Sequence, residues 1–339
     1  MRALHDRFVA GAVDNGVEEA VAEEIFEQLV GFAGFGFCKS HAAAFALVAY
    51  QTLYLKAHFP AEFFCGLLNH QPMGFYPPEV LIGDAGRHGV PVLHPDANRS
   101  REACTLEKEG HVLAIRLGLR YVHGLGEAGQ QRIVERREGG AFRHLWDFCR
   151  RTCLPRPVVE NLIRAGAMDS LGPEKGRSRR DLVWELGGLI YQEEGLDIQV
   201  PAAPVVLPPL ARGERVAWEY ELLGMAPGDH VIGLYREMLQ AQGVLSTAEL
   251  QLRVDGERVR VAGWPVVRQR PPTAKGHLFV TLEDETGLAN LIVRPNVFER
   301  YRAALRNAPL LWIEGKVQRE GYSISVLVER AAAIEPPAA

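Results

Sequence analysis

Leu119-Arg-Tyr-Val-His-Gly124-Leu125-Gly126 ends on two glycines flanking one apolar residue, and a helical run, Glu127–Arg137, follows it. Glycines so placed let the chain turn sharply between two helices. The first N–H groups of the second helix then point outward, where a phosphate meets the positive end of the helix dipole. The spacing predicts a helix-hairpin-helix in which Leu125 plugs the gap between helices and Arg132, Arg136 and Arg137 add positive charge. Gln130 stands where such hairpins usually carry a small residue that lets the helices approach. A second, degenerate copy is expected around 154–171, with Arg164-Ala-Gly166-Ala-Met in the hairpin position. Paired hairpins can hold the backbone of both strands without reading sequence.

Further along, Arg268, Arg270 and Lys275 surround a Pro271-Pro272 loop, with Trp264 on the preceding strand and Phe279 on the next. Aromatics beside a basic groove can stack the bases of a single strand; equally, Trp264 and Phe279 can be packing residues. Lys39-Ser-His41 follows a glycine-rich turn and opens an apolar helix, a place where backbone and side chains can approach a ligand, although serine is also a good N-cap. No catalytic residues are predicted. No D-x-D pair, G-x-x-x-x-G-K-[ST] loop, H-E-x-x-H or G-x-S-x-G occurs, so the usual signatures of two-metal, nucleotide-binding, zinc and serine chemistry are missing. Gln51-Thr-Leu-Tyr-Leu55 has the look of a sliding-clamp peptide but falls within a helix expected to be buried.

The elements that must carry these residues follow from periodicity. Val17, Val21, Ile25, Leu29 and Phe32 recur at helical spacing, and Gly31, Gly34 and Gly36 are expected to break that helix. A helix from Ser40 to His58 is apolar all round over Ala42–Tyr50 and is expected to be buried on every side. Further helices are predicted for Pro60–Leu68 and Glu79–His88, the latter opened by Pro77-Pro78. Residues 112–186 read as a second helical unit, and the proline-rich stretch 187–213 as a linker or extended strap. The period then changes to two: strands are predicted at Arg258–Val267, His277–Glu283, Gly287–Val293, Leu310–Val317 and Tyr322–Val328, with a helix, Pro295–Arg306, between the third and fourth. That order is the order of an OB-fold barrel.

The chain has 339 residues and a formal charge of −4, so any affinity for nucleic acid must come from a local patch. That patch is residues 101–180, with 16 basic against 10 acidic side chains, between acidic neighbours. Five scattered cysteines, of which only Cys149 and Cys153 are close, give no zinc signature and suit a reducing compartment. The uncharged stretch Ser40–Leu55 is too short to span a bilayer, and the N-terminus is no signal peptide. A cytoplasmic protein without a membrane partner is expected.

Three long stretches resemble the bacterial DNA polymerase III alpha-subunit family. They are Phe35-Gly-Phe-Cys-Lys-Ser-His-Ala-Ala-Ala-Phe-Ala-Leu-Val-Ala-Tyr-Gln-Thr52, Asn161-Leu-Ile-Arg-Ala-Gly-Ala-Met-Asp-Ser-Leu-Gly172 and Phe279-Val-Thr-Leu-Glu-Asp-Glu-Thr-Gly287. Gly118–Gly126 belongs with them, and Pro271-Pro-Thr-Ala-Lys-Gly276 is similar to the error-prone branch. The resemblance implies a multidomain α+β chain: the end of a fingers domain (1–100), a tandem helix-hairpin-helix region (101–186), a proline-rich connecting segment (187–256) and a five-stranded OB-fold barrel (257–330). It implies the DNA-binding C-terminal portion of an error-prone, translesion polymerase, with DNA as partner, duplex and single strand. The N-terminal polymerase domains would be partners too, and translesion accessory proteins, or a sliding clamp through them, could join. It places Lys39, Ser40 and His41 near nucleotide and template. Palm aspartates and their Mg²⁺ would belong to the complete polymerase, so this chain holds no cofactor or metal and alone should catalyse nothing. A stand-alone DNA-binding accessory protein, or an adaptor for translesion proteins, is the alternative expectation.

Overall fold

A computed structural model describes residues 2–35, 38–74, 76–171, 178–191, 207–208 and 210–334. The chain divides into two units, 1–59 and 60–339. The first unit holds α1 (Arg2–Asp14), α2 (Glu19–Phe35) and α3 (Lys39–His58). α1 and α2 pack through Val9, Ala22 and Phe26, with Phe8 tilted against Phe26. Gly31 and Gly34 do not break α2, which runs through both; Gly36 lies outside the described residues. The expected burial of the next helix is overturned. No residue of α3 is buried, and Phe45, Leu47, Val48, Tyr50 and Leu53 are all more than half exposed. Its all-round apolarity is a surface left uncovered among the described residues.

The second unit opens with α4 (Pro60–Asn69) and α5 (Pro78–Arg87). The break expected near residue 100 is therefore not where the chain divides: Phe64, Leu68, Ile82 and Ala85 sit in one apolar core with Ile115, Leu125, Ile133, Leu162 and Met168. A small sheet, β1 (Val92–Leu93), β2 (Thr105–Glu109) and β3 (Val112–Arg116), orders itself β1-β3-β2 where helix was expected from residue 112. Its antiparallel pair turns at Gly110, whose φ of +60° favours glycine. Then come α6 (Gly126–Arg137), α7 (Leu145–Thr152), α8 (Arg156–Arg164), α9 (Arg179–Gly188) and α10 (Arg212–Leu223). Most of the predicted proline-rich strap, 192–206 and 209, lies outside the described residues. Short helices α11 (Arg236–Ala241) and α12 (Thr247–Leu250) lead into the barrel.

The barrel consists of β4 (Arg258–Gln269), β5 (Leu278–Asp284), β6 (Gly287–Val293), β7 (Leu311–Glu320) and β8 (Ser323–Ala333), closed in the order β4-β5-β6-β8-β7. The helix predicted between its third and fourth strands is two, α13 (Pro295–Arg300) and α14 (Arg302–Asn307), parted at Tyr301. Val259, Val261, Leu278, Val280, Leu282, Leu291, Ile313 and Val326 fill the inside, each on the inward phase of its strand. The β5–β6 turn anchors the barrel to what precedes it. Buried Asp284 accepts from Thr286 N, Thr286 Oγ1 and Gly287 N within the turn, and from Thr247 N (2.7 Å) and Arg236 Nη2 (3.0 Å) outside it.

On the other side, Glu283 reaches α5 and accepts from Arg87 Nη1 at 3.2 Å. A Cβ at Gly83 would lie 2.9 Å from Glu283 Oε1, so only glycine admits that carboxylate so close to the helix. Glu79, 3% exposed on the same helix, is pushed up to about 9 by burial and by the facing Glu283. Burial raises Glu283 itself to about 7 against the opposing pull of Arg87. An unfolded chain loses these protons near the ordinary carboxylate range, whereas the folded chain keeps them longer. Folding therefore takes up protons between about pH 4.5 and 9, and stability falls as pH rises through that window. Glu79→Gln removes the larger contribution. In urea unfolding it should raise stability at pH 8.5 by about 1–3 kcal/mol and shrink the difference between pH 6 and pH 8.5; an unchanged pH profile would show that Glu79 ionises freely.

Candidate nucleic-acid interface

The first hairpin is built by glycine geometry and by two outside anchors. Gly124 (φ +80°) and Gly126 (φ +66°) occupy the left-handed region, turning the chain from a short 3-10 turn at Leu119–Tyr121 into α6. Leu125 between them is buried, as the sequence predicts for a plug. The small residue at the close approach is Gly129 and not position 130: a Cβ at Gly129 would sit 2.8 Å from Leu125 Cδ1 and 3.5 Å from Leu154 Cδ2. Gln130 is buried beside it and leaves the approach intact. Asn161 Nδ2 on α8 donates to His123 O (3.1 Å), and His123 N donates to Leu222 O on α10 (2.8 Å), which fixes the hairpin from both sides. No side chain caps α6, and its first three residues, Gly126, Glu127 and Ala128, are exposed. Unfilled donors at the positive end of a helix suit an anion.

The arginines divide. Arg132 is exposed, one and a half turns into α6, and only grazes Thr152 O at 3.5 Å. Arg136 and Arg137 lie in the last turn, about 15 Å along the axis from the hairpin, too far to share a phosphate held there. Arg136 is exposed, and Arg151 reaches its carbonyl and that of Gly140. Arg137 is half-buried, donates to Ala97 O (3.2 Å), and burial lowers its pKa.

The expected second hairpin takes another form. Gly166 (φ +85°) closes the C-terminus of α8, with Gly166 N donating to Ile163 O and Ala167 N to Leu162 O. No helix follows it through Leu171, and residues 172–177 lie outside the described part. The space beside Gly166 is filled by the Arg179 guanidinium, which pairs with Asp169 and Glu219 at 2.8 Å each. Arg164 is likewise engaged, to Glu221 at 2.5 Å and over the Trp218 ring at 5.1 Å.

In the barrel, a bulge between Pro265 and Val267 reverses the phase of β4. Trp264 stays on the outer face, but it is covered there, 5.6 Å from Tyr220 and packed with Tyr235 and Trp312. Arg268, past the bulge, pairs across from inward Val280 and donates to Leu305 O (3.0 Å) and Ala308 O (2.6 Å) at the end of α14. Trp264 is thus a packing residue, one of the two readings the sequence allowed, whereas Arg268, exposed but held by two carbonyls, is not free at the loop. Phe279 is: 38% exposed, it pairs with Gln269 and Ile292 on the outer face. Thr281, Asn290, Ser325 and Leu327 extend that face across β5, β6 and β8 without a charged side chain. Lys275, in the left-handed region at φ +48°, stands exposed at its edge, and Arg270 donates to Gly276 O while stacking on Phe298 at 4.7 Å.

In the first unit, Lys39, Ser40 and His41 occupy the exposed first turn of α3, with Ser40 Oγ 2.9 Å from Cys38 Sγ and His41 against Phe45 at 4.4 Å. Among the described residues no group of three or more His, Cys, Asp or Glu is placed to hold a metal ion. No helix among them is long and apolar enough to cross a membrane.

Comparison with known proteins bears on both modules. The helix-hairpin-helix motif family matches residues 89–181, and the OB-fold nucleic acid binding domain family matches 259–334. An error-prone DNA polymerase of Anaeromyxobacter sp. (strain K) is 41% identical over 98% of the chain. Error-prone DNA polymerase 3 of Agrobacterium fabrum is 38% identical over 96%, and an error-prone DNA polymerase of Burkholderia pseudomallei 42% over 93%. The chain spans 30% of the first of these relatives, 31% of the second and 30% of the third. Among solved structures, asparaginyl-tRNA synthetase from Pyrococcus horikoshii is 27% identical over 27% of this chain and 22% of its own, with a TM-score of 0.24. Relatives 38–42% identical over nearly its whole length place this chain with the error-prone DNA polymerases, of which it spans about 30%.

Proposed function

We propose that this chain is the substrate-holding portion of a translesion DNA polymerase, gripping primer–template duplex through its hairpin and single-stranded template through its barrel. The observation that carries the reading is the uncapped start of α6, shaped by Gly124 and Gly126 and fixed by Asn161 and Leu222. A backbone phosphate there would be held by N–H groups, with Arg132 the nearest of the three helix arginines. Arg136, at the far end of α6, would meet a different phosphate of the same duplex. Phe279 supplies a stacking surface, and the uncharged face around it tolerates any base. Lys39, Ser40 and His41 would border nucleotide and template. Nucleotidyl transfer would belong to the remaining domains of the polymerase, which in this reading also cover the apolar α3. A cytoplasmic setting and contact with accessory proteins or a clamp are part of the same proposal.

Three outcomes test it. Affinity for primer–template duplex should fall steeply with salt, and Arg132→Ala with Arg136→Ala should lessen the log–log slope by about 0.9 for each phosphate that is no longer neutralised. A slope that does not change would place the duplex elsewhere. Phe279→Ala should weaken binding of a short single strand by about 1–3 kcal/mol and leave duplex affinity alone; equal loss on both substrates would mean the barrel had been disturbed as a whole. In sedimentation, the isolated chain should self-associate through α3, and Leu47→Lys with Leu53→Lys should abolish that association. A monomer at all concentrations would remove the argument for a covering domain.

A further inference from the structure

Where β6 ends, the barrel becomes strongly basic. The loop 268–277 and the helical segment 294–307 together carry seven Lys and Arg against one carboxylate, Glu299. The two pieces are packed on each other. Arg270 lies over the Phe298 ring at 4.7 Å, a Cβ at Gly276 would sit 3.4 Å from Pro295 Cγ, and Arg268 donates to Leu305 O and Ala308 O. Phe298 and Leu305 turn inward to the barrel core, which leaves Arg294, Arg300, Arg302 and Arg306 exposed on α13, α14 and the residue before them. Elsewhere on the barrel arginines are matched: Arg258 meets Glu329 at 2.8 Å, and Arg260 and Arg330 meet Glu314 at 3.0 and 3.8 Å. Here only Arg302 has a carboxylate, Glu299 at 3.9 Å, and among the described residues Arg294, Arg300 and Arg306 have none. A cation in a helix's last turn ordinarily serves the C-terminal carbonyls. At α14 Arg268 already fills that place, so Arg306 is not needed for it.

Unmatched cations call for a polyanion, and their position decides which kind. Phe279 pairs with Ile292, and Arg294 follows Ile292 by two residues on the same outward phase, about 7 Å further along. α13 carries Arg300 about 9 Å beyond Arg294, and Arg306 follows in the last turn of α14. Continuing the Ile292–Leu327 pairing puts Glu329 of β8 level with Arg294, but Arg258 takes that carboxylate up. The row of charge therefore starts at the edge of the uncharged face around Phe279 and leads away from it. We infer that a single DNA strand with a base stacked on Phe279 leaves the barrel over α13 and α14, its phosphates held by Arg294, Arg300 and Arg306. The inference rests on the single-strand reading of the Phe279 face and adds what that face lacks. Stacking tolerates any base, and neutralised phosphates bring affinity that grows with strand length and falls with salt. Neither element reads sequence.

Fluorescence anisotropy on the full chain tests this with a thymidine tetramer and a thymidine strand four times as long. The long strand should bind more tightly and with the steeper salt dependence. Arg300→Ala with Arg306→Ala should lessen its log–log slope by about 0.7 for each phosphate no longer neutralised and leave the tetramer unchanged. Arg300→Lys with Arg306→Lys keeps the charges and should keep the slope. Both residues are exposed and without a carboxylate partner, so circular dichroism and duplex affinity should stay as in the wild type. Phe279→Ala should weaken both strands. An unchanged slope in the alanine pair overturns the inference, and if Phe279→Ala still weakens both strands the stacking face stands without it. A slope that falls while Phe279→Ala has no effect keeps the phosphate path and removes the stacking face instead. Equal loss of duplex affinity in the alanine pair, or displacement of the long strand by poly-glutamate as readily as by unlabelled strand, overturns the inference by showing a surface open to any polyanion.

Discussion

Glu219 is completely buried on α10, and its Oε1 accepts from His94 Nε2 at 2.7 Å and from Arg179 Nη1 at 2.8 Å. Burial would raise its pKa, but these two partners outweigh burial and hold it down. Arg179 in turn pairs with Asp169 and donates to Arg164 O, so one carboxylate joins α10, α9, the end of α8 and the strand region before residue 100. Taking away one partner of a buried ion pair leaves an uncompensated charge and costs roughly 3–5 kcal/mol. The consequence reaches the hairpin because α10 also supplies Leu222 O, the acceptor that holds His123. The aim of the α6 N-terminus thus depends on a charged network that lies away from the hairpin itself.

The same network explains why the two halves of an apparent sequence duplication behave differently. Both Gly126 and Gly166 take positive φ, yet one opens a helix and the other closes one. Beside the first there is open space; beside the second stands Arg179. A glycine in sequence announces a left-handed turn and says nothing of what will sit against it, since Arg179 arrives from a helix beyond the hairpin. The first hairpin was legible because its turn, plug and following helix are consecutive. Gly129 could have been found too: it is the one small residue a turn past Leu125 that faces Leu154.

Legibility in the barrel failed for a different reason. Alternation located all five strands and the outward Phe279, because inside and outside differ at every second residue. One extra residue after Pro265 then moved Arg268 from the loop side to the end of α14, and no local pattern marks that bulge. The small sheet β1-β3-β2 was missed because Val112–Arg116 shows no alternation: four apolar residues run together before Arg116, and the last three residues of the strand are all buried. In α3 the sequence correctly reports a surface that avoids water, but apolarity identifies the need for a cover and not its source.

The hairpin and the barrel belong to one unit, and polar contacts join them beside the apolar packing around Trp264 and Tyr220. The helix-hairpin-helix core and the barrel core are separate clusters. Between them lie Glu283 on Arg87 across Gly83, and Asp284 on Arg236 and the N-terminus of α12. An apolar joint of this size would slide at little expense, because dispersion is indifferent to direction. A joint of directed hydrogen bonds to buried carboxylates has one geometry, and leaving it strands charges away from water. The same burial that gives it direction raises Glu79 and Glu283 together, so register and sensitivity to alkali come from one source.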